Sequence, residues 1–519
     1  MKKHFWLALI LAVALVMRVW RVGNLPAILN RDEAAVAYNA YLLMETGKDE
    51  WGRRWPLALE SFGDYKLSGY SVVLVPFFQL FGLHDWVVRL PSVMAGTVLV
   101  YLLYLLGKKL KLGEQYALLL ALLAAVAPVF VFYSRMAFEA NLGLTFFVGA
   151  LLVLWCLKDQ TKKWQYPLLF LLLLSAVLTY NTPLLLLPLV MVWVGLTYDW
   201  RQWGKLVATE GILGGVLLFG VLALWPVTAQ KSGITIFTDE TVWSQWTIFR
   251  GSLSLFWQPL IGSRSFYYLV IMLQNFFNSF SFNFLSLRGG THPWHSLPTT
   301  GHLATVTYLL GLLGIFKTSA TVWLGRRKLR AIKSELGLLF LLIASLLPAI
   351  ITVDAPHATR SLLFFVLWHV LAVWGAVWLI KVFFQKNSSA AWRWLLFLVV
   401  VEGLLHAYQL FGLYPNQQTV FQPGFDQVIQ RVEREHGAEN VAIVDPTGYW
   451  YILTAWYLQL SPAVYFETAV RQLPDPIGFR YGERVGRYHF IARPDDRSSG
   501  ETVLVQWSNQ ASAWQIEEN

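Results

Sequence analysis

Residues 67–83 read LSGYSVVLVPFFQLFGL, and whether this run crosses a bilayer decides how the whole chain is threaded. Around it, apolar runs of near-membrane thickness recur from Phe5 to Phe411. A bilayer core takes about 20 apolar residues per helix, with a working range of about 17–25. Candidate spans fall at about 4–20, 87–106, 116–133, 141–157, 165–180, 183–197, 207–228, 303–316, 336–352, 361–380 and 394–412. If 67–83 also spans, the loop with Lys108, Lys109 and Lys111 falls on the far side and every later loop inverts. If it lies in the interface or re-enters, the basic loops all collect on one side. Those loops hold Lys108–Lys111, Lys158–Lys163, Arg201–Lys205, Lys317–Lys333 (with Arg326, Arg327, Lys328 and Arg330) and Lys381–Arg393. Lys and Arg in short loops mark the cytoplasmic side. The run is also short for a span and contains Pro76. The expectation is an all-α polytopic protein of a plasma or inner cell membrane. It has about eleven spans, a cytoplasmic N-terminus and an extracytoplasmic C-terminus.

Composition supports this class. Charged residues make up only 14% of the chain, against about 25% in soluble domains. The net charge of +10 would suggest nucleic acid in a soluble protein. Here most of it sits in loops between spans, so it sets orientation and no nucleic-acid partner is expected. The single cysteine, Cys156, excludes a disulfide framework within one chain and a cysteine-based zinc cluster. Phe5–Met17 after two lysines resembles a signal peptide. Arg18 and Arg21 follow without a small-residue cleavage site, which reads as an uncleaved first span.

The threading leaves four extracytoplasmic segments, at about 21–86, 134–139, 229–302 and 354–360. After Gly412 charge becomes frequent and apolar runs shorten, so residues 1–412 read as a membrane domain and 413–519 as a small extracytoplasmic α/β domain. There, Phe425, Val428, Ile429 and Val432 follow helical spacing before Gly437. Val441–Val444, Tyr488–Ala492 and Thr502–Trp507 read as strands.

Candidate chemistry concentrates in the first of these segments. Asn30-Arg31-Asp32-Glu33 opens a helix expected to reach Thr46 and stop at Gly47. Asn30 and Glu33 have capping-box spacing, which gives Glu33 a structural job. Asp32 falls in the first turn, where the helix dipole favours a negative charge. It is either a plain acidic first-turn residue or a general base held at the membrane surface. Lys66 follows Asp64 and Tyr65, and either snorkels to headgroups or faces a phosphate. Arg89, Arg135 and Arg360 stand at span ends on the same side. Singly each reads as an interface anchor, whereas together with Lys66 they form a cluster able to hold an anionic lipid headgroup. Glu139 sits at the mouth of a span, and Glu402 and His406 lie one turn apart inside the last one. His292 and His295 in the long loop, with Asp64, form a weak divalent-metal candidate. Nucleotide-binding, zincin and serine-hydrolase motifs are absent.

Several stretches carry a resemblance. They are Asn30-Arg31-Asp32-Glu33-Ala34, Ala37-Tyr38-Asn39-Ala40-Tyr41, Asp49-Glu50-Trp51-Gly52, Phe62-Gly63-Asp64-Tyr65-Lys66, the run from Phe81 to Ser92, and Tyr133-Ser134-Arg135-Met136-Ala137-Phe138-Glu139-Ala140-Asn141. Together they resemble bacterial relatives of the dolichyl-phosphate-mannose–protein mannosyltransferases, within the C-type (GT-C) membrane glycosyltransferases that include the lipid A aminoarabinose transferase. The likeness is strong over about 18–145 and looser through His295 and Pro356-His357-Ala358-Thr359-Arg360. It implies a polyprenyl-phosphate sugar donor, an extracytoplasmic site, juxtamembrane helices in the first loop, Asp32 as catalytic base and Lys66 near the donor phosphate. In the aminoarabinose transferase a Glu directly precedes that lysine and takes part in metal binding. Here Tyr65 holds its place and the acid is Asp64, so a divalent metal at Asp64 and His295 stays open and no cofactor is assigned.

The expected function is an inverting glycosyltransferase. Asp32, with Glu33 beside it, is the catalytic site, and Lys66, Arg89, Arg135 and Arg360 bind the donor phosphate. Asp64, Tyr65, Glu139 and His357 are further candidates. The partners are membrane lipids, the donor and a protein, lipid or glycan acceptor. The alternatives are a transporter or flippase for lipid-linked glycans and a scaffold.

Overall fold

The computed structural model describes residues 2–159, 161–225, 234–290, 292–325, 329–437, 439–475 and 479–518. Residues 226–233 of the long loop and of the span before it, Thr291, and the basic residues Arg326, Arg327 and Lys328 lie outside the described residues.

As far as they are described, the eleven apolar runs fall on helices. Among the described residues, seven helices are long and apolar enough to cross a membrane, or eight if the bent pair Glu114–Val126 and Pro128–Ser134 forms one span. The first helix and those at Gln165–Thr179 and Asn181–Thr197 are shorter apolar helices, as is Gly69–Phe81 within the 67–83 run. The 13 residues of that last helix rise about 20 Å, less than the roughly 30 Å hydrocarbon core.

The chain divides into two units, and each is built by its own rules. One comprises Met1–Arg18, Met94–Ser134 and Ala140–Gly412. Its bent pair turns by 55° because Pro128 has no N–H to give the carbonyl of Ala124. Arg18, fully buried, donates to the carbonyls of Ala124 and Ala125 at 3.3 and 3.0 Å. A charged side chain inside an apolar helix is thus committed to the break in its neighbour. The helices Thr305–Gly325 and Leu362–Phe383 meet through Gly311, Gly314 and Gly375, where a Cβ would strike Trp368, Leu371 and Leu310. Small residues let helix backbones approach this closely. Glu402 accepts from the Val306 N–H at 3.1 Å through both oxygens. It therefore caps the Thr305–Gly325 helix and does not pair with His406 as the i, i+4 spacing suggests.

The other unit comprises Val19–Val93, Arg135–Glu139 and Leu413–Asn519. The C-terminal segment therefore does not stand apart: it is compact together with the first loop. The helix Arg31–Thr46 begins as its capping-box spacing predicts. The Asn30 side chain accepts from the N–H groups of Asp32 and Glu33 at 2.8 and 3.0 Å, and Glu33 reaches back to the Asn30 N–H at 3.1 Å. Gly47 ends the helix at φ 69°, a backbone that only glycine adopts freely. A two-residue hairpin follows, β1 (Ala58–Ser61) paired antiparallel with β2 (Asp64–Leu67). Its turn residues Phe62 and Gly63 both have positive φ, 60° and 82°, the geometry whose twist matches paired strands.

The C-terminal segment adds β3 (Val441–Val444), β4 (Val470–Arg471), β5 (Gly482–Val485), β6 (Tyr488–Ile491), β7 (Val503–Ser508) and β8 (Ala513–Glu518). They form one sheet in the order β4-β5-β6-β3-β7-β8. Buried β3 runs parallel to both neighbours, β6 and β7, and the remaining pairs are antiparallel. The amphipathic helix Phe425–Glu435 buries Phe425, Ile429 and Val432, with the Phe425 ring 4.4 Å from Trp450 and 4.9 Å from Trp514.

Asn30→Ala removes two cap bonds at the start of the helix that carries Asp32. Loss of such a cap costs about 0.5–2 kcal/mol, so the melting temperature of the detergent-solubilised variant is expected to fall by a few degrees. An unchanged melt would contradict this.

Candidate active site

Asp32 and Lys66 arrive from different elements, one in the first turn of the Arg31–Thr46 helix and the other on β2. Lys66 Nζ stands 3.0 Å from Asp32 Oδ1 and 3.6 Å from Asp64 Oδ2. Asp64 and Lys66 share a face of β2 because side chains alternate along a strand. Tyr65 points to the other face, donating to Glu60 at 2.8 Å with Arg53 nearby, so it takes no part in the Asp32–Lys66 pair. The Lys66 side chain is 8% exposed while Asp32 keeps 34%. Burial alone would lower the ammonium's pKa. The carboxylates of Asp32, Asp64 and Glu139 outweigh it and hold the group above the ordinary lysine value. The result is a charged lysine under a half-open carboxylate.

Arg31, which the sequence reading did not single out, belongs to this corner. Its Nε lies 3.9 Å from Asp32, and its guanidinium sits 3.9 Å from the centre of the Tyr449 ring. Cations over aromatic faces are held by the ring quadrupole.

Glu33 and Arg89 have a different role from the one expected. Both side chains are fully buried and pair at 2.9 Å. All five guanidinium N–H groups of Arg89 are occupied. Nε and one Nη2 hydrogen go to Glu33 at 2.9 and 3.0 Å, and the other bonds reach the carbonyls of Val22, Pro26 and Ile28, each at 2.8 Å. A guanidinium has five donors and no more, so Arg89 offers none to a phosphate. Glu33 also accepts from the N–H groups of Asn30 and Ala137, which leaves no lone pair for proton transfer. Both assignments, Arg89 to the donor and Glu33 to catalysis, are therefore corrected to structural ones. Arg135 is 1% exposed and donates to the Leu25 carbonyl at 2.9 Å. It too is buried in the fold and presents no surface to a headgroup.

The remaining candidates lie in the other unit. Arg360 pairs with Asp354 and donates to Thr352 at 2.8 Å, a local clasp rather than an open cation. The rings of His292, His295 and His357 form a row with centroids 4.7 and 4.8 Å apart. His295 Nδ1 is 3.1 Å from Thr359 Oγ1, and Thr359 in turn is 2.8 Å from the Tyr133 hydroxyl. Burial, with Arg360 beside it, lowers His357 to about 4, and burial lowers His302 to about 3. Both are neutral rings at ordinary pH. Among the described residues no group of three or more His, Cys, Asp or Glu could hold a metal ion.

Comparison with known proteins adds three findings. The family model of dolichyl-phosphate-mannose-protein mannosyltransferases matches residues 69–227, under a third of the chain. No curated protein matches. Among solved structures, ArnT from Cupriavidus metallidurans in the apo state is 14% identical, with TM-score 0.53, over 88% of this chain and 85% of that one. The same protein bound to undecaprenyl phosphate matches at 13% and 0.51 over 88% and 84%. The Archaeoglobus fulgidus oligosaccharyltransferase tethered with an acceptor peptide is 12% identical, with TM-score 0.52, over 88% of this chain. The match spans 63% of that longer protein. The resemblance read in the sequence is borne out by the family model and by the fold shared with these structures.

Two outcomes follow from the buried groups. Arg89→Met strands the Glu33 charge, and breaking a buried pair costs about 3–5 kcal/mol. The variant should give little folded protein in a size-exclusion and melting assay, and normal yield and melt would refute the clasp. The folded-state pKa of His357 lies below the unfolded value of about 6.5, so its contribution to stability is complete above that pH and is lost as pH falls toward 4. The melting temperature should drop over this window, and less steeply in His357→Gln. Parallel curves for the two proteins would rule His357 out as a source.

Proposed function

We propose that this chain transfers a sugar from a polyprenyl-phosphate donor to an acceptor hydroxyl on the extracytoplasmic face of the membrane, with inversion. The observation that carries the reading is the 3.0 Å approach of the Lys66 ammonium to the half-open Asp32 carboxylate. One group accepts a proton and the other balances a phosphate, and they arrive from separate elements to share one corner.

Asp32 takes the proton from the acceptor hydroxyl as that oxygen attacks the anomeric carbon. The bond from that carbon to the phosphate oxygen breaks, and polyprenyl phosphate leaves with the electron pair. Lys66 stabilises the charge that develops on it, as a preorganised cation does without reorganising at the moment of reaction. Arg31 supplies a second positive charge beside Asp32. A single displacement needs one base, unlike the paired carboxylates of glycosidases. The gathering of basic loops on one side of the threading supports an extracytoplasmic site. The donor class is drawn from the undecaprenyl phosphate bound by ArnT. A flippase would be expected to use charges inside the membrane, and of the intramembrane pair Glu402 and His406, Glu402 is accounted for as a helix cap.

Membranes carrying the protein should move label from one of a panel of radiolabelled prenyl-phosphate sugars to a hydroxyl acceptor. Asp32→Asn should lower kcat by about 10²–10⁴, and Lys66→Met should also lower it. Normal turnover in Asp32→Asn would remove the base from the mechanism, and no transfer from any donor would remove the mechanism itself.

A further inference from the structure

Asp32 and Lys66 can cooperate only if the helix that bears one is held against the hairpin that bears the other. The turn between them places a buried carboxylate, Glu50, at that joint. Glu50, whose side chain is 0% exposed, divides its two oxygens between two sets of partners. Oε1 accepts from Asn39 on the Asp32 helix at 3.0 Å and from Ser61 at the end of β1 at 2.8 Å. Oε2 accepts from the C-terminal segment: Tyr451 at 3.1 Å, Tyr465 at 3.2 Å and Arg471 at 2.8 Å. The Glu50 N–H donates to Asn39 Oδ1 at 2.9 Å, which closes the knot on the helix side. Arg471 is itself seated on Tyr451, its guanidinium 3.9 Å from the ring centre.

A second tie lies closer to the chemistry. The Tyr449 ring carries Arg31, the residue before Asp32. The same ring meets Phe62 edge-on at 4.9 Å. Phe62 is the first turn residue of the hairpin, its ring 5.4 Å from Lys66 Nζ, and its carbonyl accepts from the Arg480 N–H at 3.0 Å. One tyrosine of the C-terminal segment thus touches the neighbour of the base and the turn of the lysine hairpin together.

We propose that the C-terminal segment is a working part of the transfer site, with Arg471 and Tyr449 as positioning residues that fix Asp32 against Lys66. The proposal rests on the transfer reading above. Displacements of about 1 Å at a reacting centre cost on the order of 10² in rate. Loosening either tie is therefore expected to act on turnover far more than on donor binding.

The test uses the full chain in detergent and in membranes, comparing Arg471→Met, Arg471→Lys, Tyr449→Ala and Tyr449→Phe. Two readouts are taken on protein that melts near the wild-type temperature. One is kcat and donor KM with whichever radiolabelled prenyl-phosphate sugar the wild type uses. The other is the rate at which an amine-reactive label modifies Lys66, read by mass spectrometry, which needs no turnover. Arg471→Met and Tyr449→Ala should lose about 10–100-fold in kcat with donor KM within about threefold of wild type, and Lys66 labelling should rise. Tyr449→Phe, which keeps the ring, should recover most of what Tyr449→Ala loses, and Arg471→Lys part of what Arg471→Met loses. Wild-type kcat and labelling in the folded Met and Ala variants would overturn the proposal. So would a loss that only tracks the unfolded fraction. If Arg471→Met does not fold, the Tyr449 pair decides alone. If the wild type transfers nothing, the transfer reading fails, and Lys66 labelling still judges whether the segment holds the corner.

Discussion

The Glu33–Arg89 pair is the constraint on which the first loop depends. Taking two charges out of water costs several kcal/mol for each, and the attraction between them repays this only if every remaining donor and acceptor is met. Here each Glu33 oxygen accepts two hydrogen bonds and each Arg89 N–H has a partner. The carbonyls involved run from Val22 to Ile28, and the N–H of Ala137 comes from a distant loop. One salt bridge thereby fixes the approach to the helix, its first turn and the loop around residue 137. Asp32 is the next residue along and inherits that rigidity while keeping its own side chain partly open.

The working corner is built the opposite way. Its charges are half-exposed or only just covered, and they are held by elements that meet from different parts of the chain. The hairpin is short and has a tight turn, so Lys66 cannot move far along it. The helix is capped at both ends, so Asp32 cannot fray. What neither element supplies is the distance between them, and there the aromatic and ionic contacts of the C-terminal segment enter.

Much of this was legible in the sequence. Asn30 with Glu33 announced the cap, Gly47 the stop, and Phe425 to Val432 an amphipathic helix, and all three form where they were expected. Three of the strands were legible as β-branched or aromatic runs. Strands β4 and β5 were not, since they are short and carry exposed or charged residues that give no period-two pattern. Nor could spacing separate Arg89 from Lys66. A basic residue near a helix end looks alike whether it faces a headgroup or five buried acceptors, and only the fold supplies the acceptors. Glu50 was quoted as part of a motif without a role, because its partner Arg471 lies 421 positions away. Arg31 was passed over for its acidic neighbour, and the ring beneath it comes from Tyr449.

The unit that holds Asp32 is discontinuous, joining Val19–Val93 to Leu413–Asn519. Contacts between such distant stretches close late, since chain entropy must be overcome before they form. During synthesis the helix and hairpin emerge first, whereas Tyr449 and Arg471 leave the ribosome long after them. A growing chain thus carries its reactive groups through the synthesis of the whole intervening stretch without the residues that align them, and competence has to wait for those.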